Sequence, residues 1–303
     1  MKIALAGIGK IATDQHVPAI AGSPDWELAA TISRSGSVEG VEAHHDIDAF
    51  LEARPDIDVV SLCMPPQPRF PYAEKCLRAK RHVMLEKPPG QTLAEVHALT
   101  ALAQEMGVTL FATWHSRMAR AVAAAKARLE GQEIRAARII WKEDVRHWHP
   151  GQDWVFEPGG MGVFDPGINA LSILTEILPR PVHLTSATLE VPENRDTPIA
   201  AELQFTGNVS AVFDWRQEGT QTWDIEVETG EGLLALREGG NRLVLGSGEE
   251  PAEFDLTGEY PSLYARMAEL VRSGRSDVDL SPMVHVFDAF SLGRRVSTAP
   301  FDF

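Results

Sequence analysis

Residues 7–12, Gly7-Ile8-Gly9-Lys10-Ile11-Ala12, have the spacing G-x-G-x-x-A. An apolar run that reads as a strand, Ile3 to Ala6, precedes them, and a helical stretch follows. Such a turn can hold a pyrophosphate. The first Gly permits the tight turn, the second lets bare backbone approach the phosphates, and the third position need only be small, as Ala12 is. The helix amino terminus adds N–H donors and positive dipole. The alternative is a glycine turn in an unrelated βα unit.

The second strand ends Thr31-Ile32-Ser33-Arg34, with no acid after it to bond a ribose 2′-hydroxyl. Ser33 can instead donate to a 2′-phosphate, and Arg34 can grip or stack over it. This favours NADP, with NAD also accommodated. The alternative for Arg34 is a solvated loop residue. Glu86-Lys87-Pro88-Pro89 stands at the carboxyl end of a further strand, where open α/β sheets bind ligands. A lysine there can stabilise negative charge on a substrate oxygen. A surface Glu–Lys ion pair is the competing reading.

The elements that must position these residues are legible from apolar periodicity. Strands are expected at Ile3–Ala6, Leu28–Ile32, Ile57–Cys63, His82–Leu85 and Val108–Ala112, with amphipathic helices at Asp46–Ala53, Tyr72–Ala79 and Leu93–Met106 between them. That alternation predicts βαβ units on a parallel sheet. After about Trp114 the pattern changes. Met118–Glu130 reads as a helix, Ala136–Val145 as a long strand, Arg146–Pro166 as a loop and Asn169–Leu178 as a helix. Period-2 runs around 201–205, 209–213, 225–228, 234–236 and 243–245, with glycine turns between them, predict an antiparallel meander. Helices at Tyr260–Ser273 and Pro282–Arg295 follow. The expected fold is α/β: an N-terminal Rossmann doubly wound parallel sheet over 1–115, then an α+β domain over 116–303 with an open, predominantly antiparallel sheet. The uncovered face of that sheet is either solvated or a homodimer surface.

Composition narrows the partners. Lys and Arg number 28 against 43 Asp and Glu, a net charge of −15, which repels nucleic acid and anionic lipid. Cys63 and Cys76 are too few for a disulfide framework or a Cys-rich zinc site. The amino-terminal apolar run is too short for a signal sequence, and no stretch has the apolar length of a membrane span, so a cytoplasmic location is expected.

Together with the glycine turn and Glu86-Lys87-Pro88, the run Gly159-Gly160-Met161-Gly162-Val163-Phe164-Asp165-Pro166-Gly167 resembles the Gfo/Idh/MocA oxidoreductases over the whole length. Phe111-Ala112-Thr113-Trp114-His115-Ser116-Arg117, Trp141-Lys142-Glu143-Asp144-Val145 and Trp148-His149-Pro150-Gly151-Gln152 resemble the bacterial branch acting on L-arabinose and D-galactose.

The resemblance implies a Rossmann domain, a substrate lying between Lys87 and the helix near Asp165, and oxidation of an aldopyranose (L-arabinose, D-galactose or D-fucose) at C1 to a lactone. It implies a cofactor site of Gly7, Gly9, Lys10, Ile11, Ser33, Arg34, Met64, Pro65, Pro66, Glu86 and Lys87. Many members carry Asp and His four residues apart at that helix; here the pair is Asp165 and Asn169. Spacing i, i+4 puts both on one face. Asn cannot be a base, so Asp165 becomes the base and Asn169 its hydrogen-bonding partner, with Lys87 meeting the same oxygen.

Glu143, His149 and His115 are candidates to hold ring hydroxyls, and Trp148 and Trp223 to stack on a sugar face; each could equally be structural. His147 and His149 with Glu143 and Asp165 can be drawn as a metal site, but nothing else has metal-ligand spacing and none is expected. The competing functions are a family dehydrogenase for another sugar, an inositol or a dihydrodiol, a non-catalytic NADP-binding sensor, and a hydrolase or lyase using nicotinamide transiently.

Overall fold

In the computed structural model, residues 1–246, 248–250 and 258–302 are described. They form two compact units: Met1–His115 with Leu256–Leu280, and Ser116–Asp255 with Ser281–Phe303. The described residues 258–280 thus group with the first unit rather than with the chain that surrounds them.

The first unit is built on six parallel strands, β1 (Lys2–Ala6), β2 (Glu27–Ile32), β3 (Glu42–His44), β4 (Val59–Leu62), β5 (His82–Leu85) and β6 (Leu110–Ala112). Their order, β3-β2-β1-β4-β5-β6, is that of a Rossmann sheet. β1 and β4 are almost wholly buried, as a parallel sheet covered on both faces requires. β3 has no apolar run to announce it. It is three residues long, polar or small, and pairs only with β2. Local chemistry sets the helices. Asp46 accepts from the Asp48 and Ala49 amides at the start of Ile47–Ala53. Thr92 and Glu95 form a capping box on Leu93–Met106, which Gly107 ends in the left-handed conformation. The chain order reverses between β1 and β4, so Gly7 and Met64 flank the switch point at their carboxyl ends.

Among the described residues the second unit carries nine strands: β7 (Ile134–Lys142), β8 (Leu184–Pro192), β9 (Ala200–Phe205), β10 (Val209–Asp214), β11 (Thr222–Thr229), β12 (Gly232–Arg237), β13 (Arg242–Leu245), β14 (Gly248–Glu250) and β15 (Arg294–Thr298). The order is β14-β13-β12-β11-β7-β10-β9-β8-β15, predominantly antiparallel. The expected continuous meander is split. β7 inserts between β10 and β11, parallel to one and antiparallel to the other. Alternation marks a strand and its face but not its neighbour, so this insertion was not readable from pattern. The helix expected over Pro282–Arg295 ends at Leu292, and its last two residues instead open the edge strand β15, which the sequence pattern does not mark.

The helix Phe164–Ile177 packs on this sheet and begins five residues earlier than its apolar periodicity suggested, with Pro166 in its first turn. Gly167 lets it approach, since a Cβ there would stand 3.3 Å from the Phe213 ring. The supposed loop before it contains short helical turns at Val145–Trp148 and Asp153–Phe156.

Gly162 sets the entry to that helix. Its φ is +54°, and a Cβ would lie 2.2 Å from the Pro198 carbonyl oxygen. Gly151, at φ +68°, has open space where a Cβ would go. Gly151→Ala should therefore cost only the left-handed strain, about 1 kcal/mol, whereas Gly162→Ala should cost about 3 kcal/mol or more. Urea unfolding of the two variants checks this, and equal losses would contradict it.

Candidate active site

The two units hold separate clusters. In the first, β1 delivers the glycine turn. Gly7 has φ +88°, and a Cβ would fall 2.6 Å from the Met64 backbone nitrogen, so only glycine fits. At Gly9 a Cβ would meet nothing, leaving bare backbone facing open space that a side chain would fill. Thr13 N–H donates to the Gly9 carbonyl at 3.1 Å as the first helical segment starts. Lys10 and Ile11 are exposed there, Lys10 paired with Asp14. Ser33 Oγ accepts from the Gly36 amide at 3.1 Å and keeps its own proton to donate; Arg34 is exposed beside it. Gly36 itself packs against Ile8, where a Cβ would stand 2.3 Å from the carbonyl oxygen. Met64 and Pro66 are buried at the end of β4, and Pro65 is exposed. These residues fit a dinucleotide: tight turn, open backbone, helix start, and a hydroxyl and a guanidinium after β2.

At the end of β5, Lys87 is partly exposed and Glu86 is buried. The Glu86 carboxylate accepts from the Lys87 amide and from the Tyr260 hydroxyl at 2.7 Å, and faces His16 Nε2 at 3.3 Å. Burial pushes its pKa up, but hydrogen bonding and charge from His16, helped by His115 and Tyr260, hold it well below the ordinary carboxylate range. His16 Nδ1 meets the Tyr264 hydroxyl at 2.7 Å. His115 stacks on Tyr260, centroids 5.5 Å apart, with Nδ1 2.5 Å from Glu259. Burial lowers the His115 pKa, but the Glu259 carboxylate outweighs it and raises it.

In the second unit, β7, β10 and β11 and the helix Phe164–Ile177 bring together Glu143, His149, Asp165 and three indoles. Glu143 follows β7 and is buried; Trp215 donates to Oε1 at 3.1 Å and Trp223 to Oε2 at 2.8 Å. Register fixes this, because Trp141 lies opposite Trp223 across the β7–β11 pair. The two rings stack at 5.8 Å, and Trp148, 40% exposed, leans on Trp223 at 5.5 Å. Asp165 occupies the first turn of its helix, where the dipole favours a carboxylate. His149 Nε2 lies 3.3 Å from Asp165 Oδ2, and its Nδ1 faces Gln152 at 3.3 Å. Asn169 stands one turn along the helix, half-buried. Glu143 has an elevated pKa: burial raises it more than the two indoles and His149 lower it, and Asp165 adds to the rise.

Asp165, His149 and Glu143 therefore lie in one cluster with Trp215, Trp223 and Trp148, whereas His115 lies with Glu259 and Tyr260 in the other. Sequence reading missed Arg69, His16, Trp215, Tyr260 and Tyr264. Nothing in their spacing marks them: His16, Arg69, Tyr260 and Tyr264 stand on helical segments and Trp215 follows β10, and what they share is burial. His147 is exposed, with its ring edge-on to Trp148. Among the described residues no group of three or more His, Cys, Asp or Glu side chains could hold a metal ion, and no helix is long and apolar enough to cross a membrane.

The model of the GFO_IDH_MocA oxidoreductase family, NAD-binding Rossmann fold, matches residues 1–114. Galactose 1-dehydrogenase of Pseudomonas fluorescens is 40% identical over 306 residues, covering 99% of this chain and 98% of that protein. The crystal structure of a D-galactose-1-dehydrogenase from Rhizobium etli superposes with a TM-score of 0.93 at 55% identity, covering 99% and 97% of the two chains. A 3-ketoreductase from Actinomadura kijaniata, solved with NADP and TDP-benzene, shares the fold at a TM-score of 0.80 and 21% identity, covering 98% and 99%.

The state of Glu143 has a measurable consequence. With its folded pKa above the unfolded one, the native state keeps a proton that the unfolded chain has lost, so stability falls as pH rises through that window. Glu143→Gln lacks this loss. The melting temperature of the variant minus that of the parent should grow as pH rises above the ordinary glutamate range of about 4. A difference that stays constant or shrinks contradicts the buried, strained carboxylate.

Proposed function

Because this chain belongs to the Gfo/Idh/MocA family of oxidoreductases, we propose that it oxidises the C1 hydroxyl of an aldopyranose to the lactone, using NADP in preference to NAD. The observation that carries this reading is similarity along the full length to galactose 1-dehydrogenases from two bacteria. The second unit supports it: a carboxylate fixed by two indole N–H groups beside an exposed aromatic wall suits a ring that is apolar on its face and polar at its edge.

The bound nicotinamide supplies a hydride acceptor for the hydrogen on C1. Asp165 takes the proton of the C1 hydroxyl, and His149 beside it steadies that carboxylate. Lys87 stabilises negative charge on a substrate oxygen. Asn169, one turn from Asp165, donates a hydrogen bond to the substrate. Glu143 accepts from ring hydroxyls through the lone pairs its indoles leave over, His115 contributes a further polar contact, and Trp148 and Trp223 cover a ring face. L-Arabinopyranose is D-galactopyranose without the C5 hydroxymethyl, so a site reading shared hydroxyls accepts both, and D-fucose with them. Discrimination by that one carbon is about 10–200-fold.

Gly7, Gly9, Lys10 and Ile11 hold the pyrophosphate, with Met64, Pro65, Pro66 and Glu86 lining the dinucleotide. Ser33 and Arg34 read the 2′-phosphate. A homodimer on the open face of the nine-stranded sheet belongs to the same reading, and a monomeric mass by light scattering removes it.

A panel of aldoses, polyols and dihydrodiols with either cofactor, followed by absorbance of reduced nicotinamide, tests the proposal. Rapid reduction with L-arabinose or D-galactose is expected; reduction with other polyols alone, or tight cofactor binding without turnover, overturns it. Asp165→Ala should lower kcat by about 100- to 10,000-fold with NADP binding retained. Near-parent kcat would remove Asp165 as the base. Arg34→Ala should weaken NADP more than NAD in a fluorescence titration, and equal losses would remove it from phosphate reading.

A further inference from the structure

We propose that Arg69 is the positioning residue for Lys87, holding the peptide on either side of the lysine through backbone carbonyls. The inference rests on the reading of Lys87 as the group that meets the substrate oxygen. Arg69 opens the helix Arg69–Arg78 yet is only 2% exposed. One guanidinium nitrogen, Nη1, donates to the carbonyls of both Glu86 and Pro88, which bracket Lys87, and Nη2 donates to the carbonyl of Met64. Met64 stands two residues past β4 and Glu86 directly past β5, where ladder partners run out and buried carbonyls still need donors. A planar fork of N–H groups can serve three acceptors at once; a lysine presents a single point of charge.

Glu86 supplies the second anchor. Its carboxylate takes the Lys87 amide, and Tyr260 and His16 hold that carboxylate from behind. Lys87 is therefore gripped at its own N–H and at the carbonyls of the residues before and after it. Arg69 Nε has no hydrogen-bond partner, so the guanidinium is oriented for the three carbonyls and not for its own full satisfaction. Burial lowers its pKa to about 10, with the charge of Glu86 opposing, so it stays protonated at neutral pH. The same guanidinium ties the loop after β4, placed at the cofactor, to the loop after β5 that carries Lys87.

The experiment is a set of double-mutant cycles in the full chain. Arg69→Gln, Arg69→Lys and Tyr260→Phe are made alone and combined with Lys87→Met, and kcat, sugar KM, NADP Kd and melting temperature are measured. Arg69→Gln should lower kcat by about 100-fold, the cost of a misplaced reacting group, with smaller changes in KM and NADP Kd. Arg69→Lys should recover part of it. In the Lys87→Met background neither should lower residual kcat further, because the group being positioned is gone. Equal losses in both backgrounds, or a raised KM with kcat intact, would overturn the proposal and leave Arg69 a stabilising residue. If the Arg69 variants do not fold, Tyr260→Phe carries the test. It should lower kcat by about tenfold only when Lys87 is present, and unchanged kcat would overturn the mount. Parent-like kcat in Lys87→Met alone would instead remove the role of Lys87, and the proposal with it.

Discussion

A guanidinium removed from water must find oxygen acceptors, and Arg69 finds three of them on the carboxyl edge of the first sheet. This is the constraint on which the rest of the first unit depends. Parallel strands end with carbonyls that the ladder no longer satisfies, and a ligand-binding edge is made of such ends. Water would satisfy them loosely. A buried arginine satisfies them in one geometry, and so fixes the two loops that follow β4 and β5. Its charge then needs a counterpart, which Glu86 provides, and Glu86 in turn is held by Tyr260 and His16. The helix Glu259–Ser273 joins this unit for that reason as well as for its apolar face: Tyr260 and Tyr264 enter the buried polar set from it.

The second unit solves the opposite problem. There a carboxylate is buried and kept uncomfortable. Glu143 receives two neutral indole donors instead of a cation, while Asp165 adds a second negative charge nearby. Two N–H groups orient both oxygens without neutralising them, so the carboxylate keeps its appetite for hydroxyl donors. That arrangement costs stability and suits binding, a trade expected where a site is preorganised. Trp223 serves twice, once through its N–H and once through its face, and this is possible because the β7–β11 register sets it against Trp141 and beside Trp148.

Each cluster is assembled from distant parts of the chain. Glu86 and Tyr260 are 174 residues apart and Glu143 and Trp223 80 apart. Pairing across such separations is decided by which strands become neighbours. β7 lies between β10 and β11 and not at the start of a meander, and that one insertion puts Glu143 within reach of Trp215 and Trp223.

The sequence alone determined the Rossmann class of the first unit, since six-residue glycine spacing and alternating apolar runs are local signals with local causes: positive φ at Gly7 and two-sided burial of short strands. It also determined the family and which polar residues belonged on one helix face, because Asp165 and Asn169 are one turn apart in any helix. It did not reveal that β7 splits the meander, or that β3, β8 and β15 exist, because short edge strands and the interrupted alternation of Leu184–Pro192 carry no clear period. Nor did it reveal Arg69, Tyr260 or Trp215. Their roles come from being buried where a carbonyl or carboxylate needs a donor, and burial is a property of the folded chain, decided by long-range register and not by the identity of neighbours in sequence.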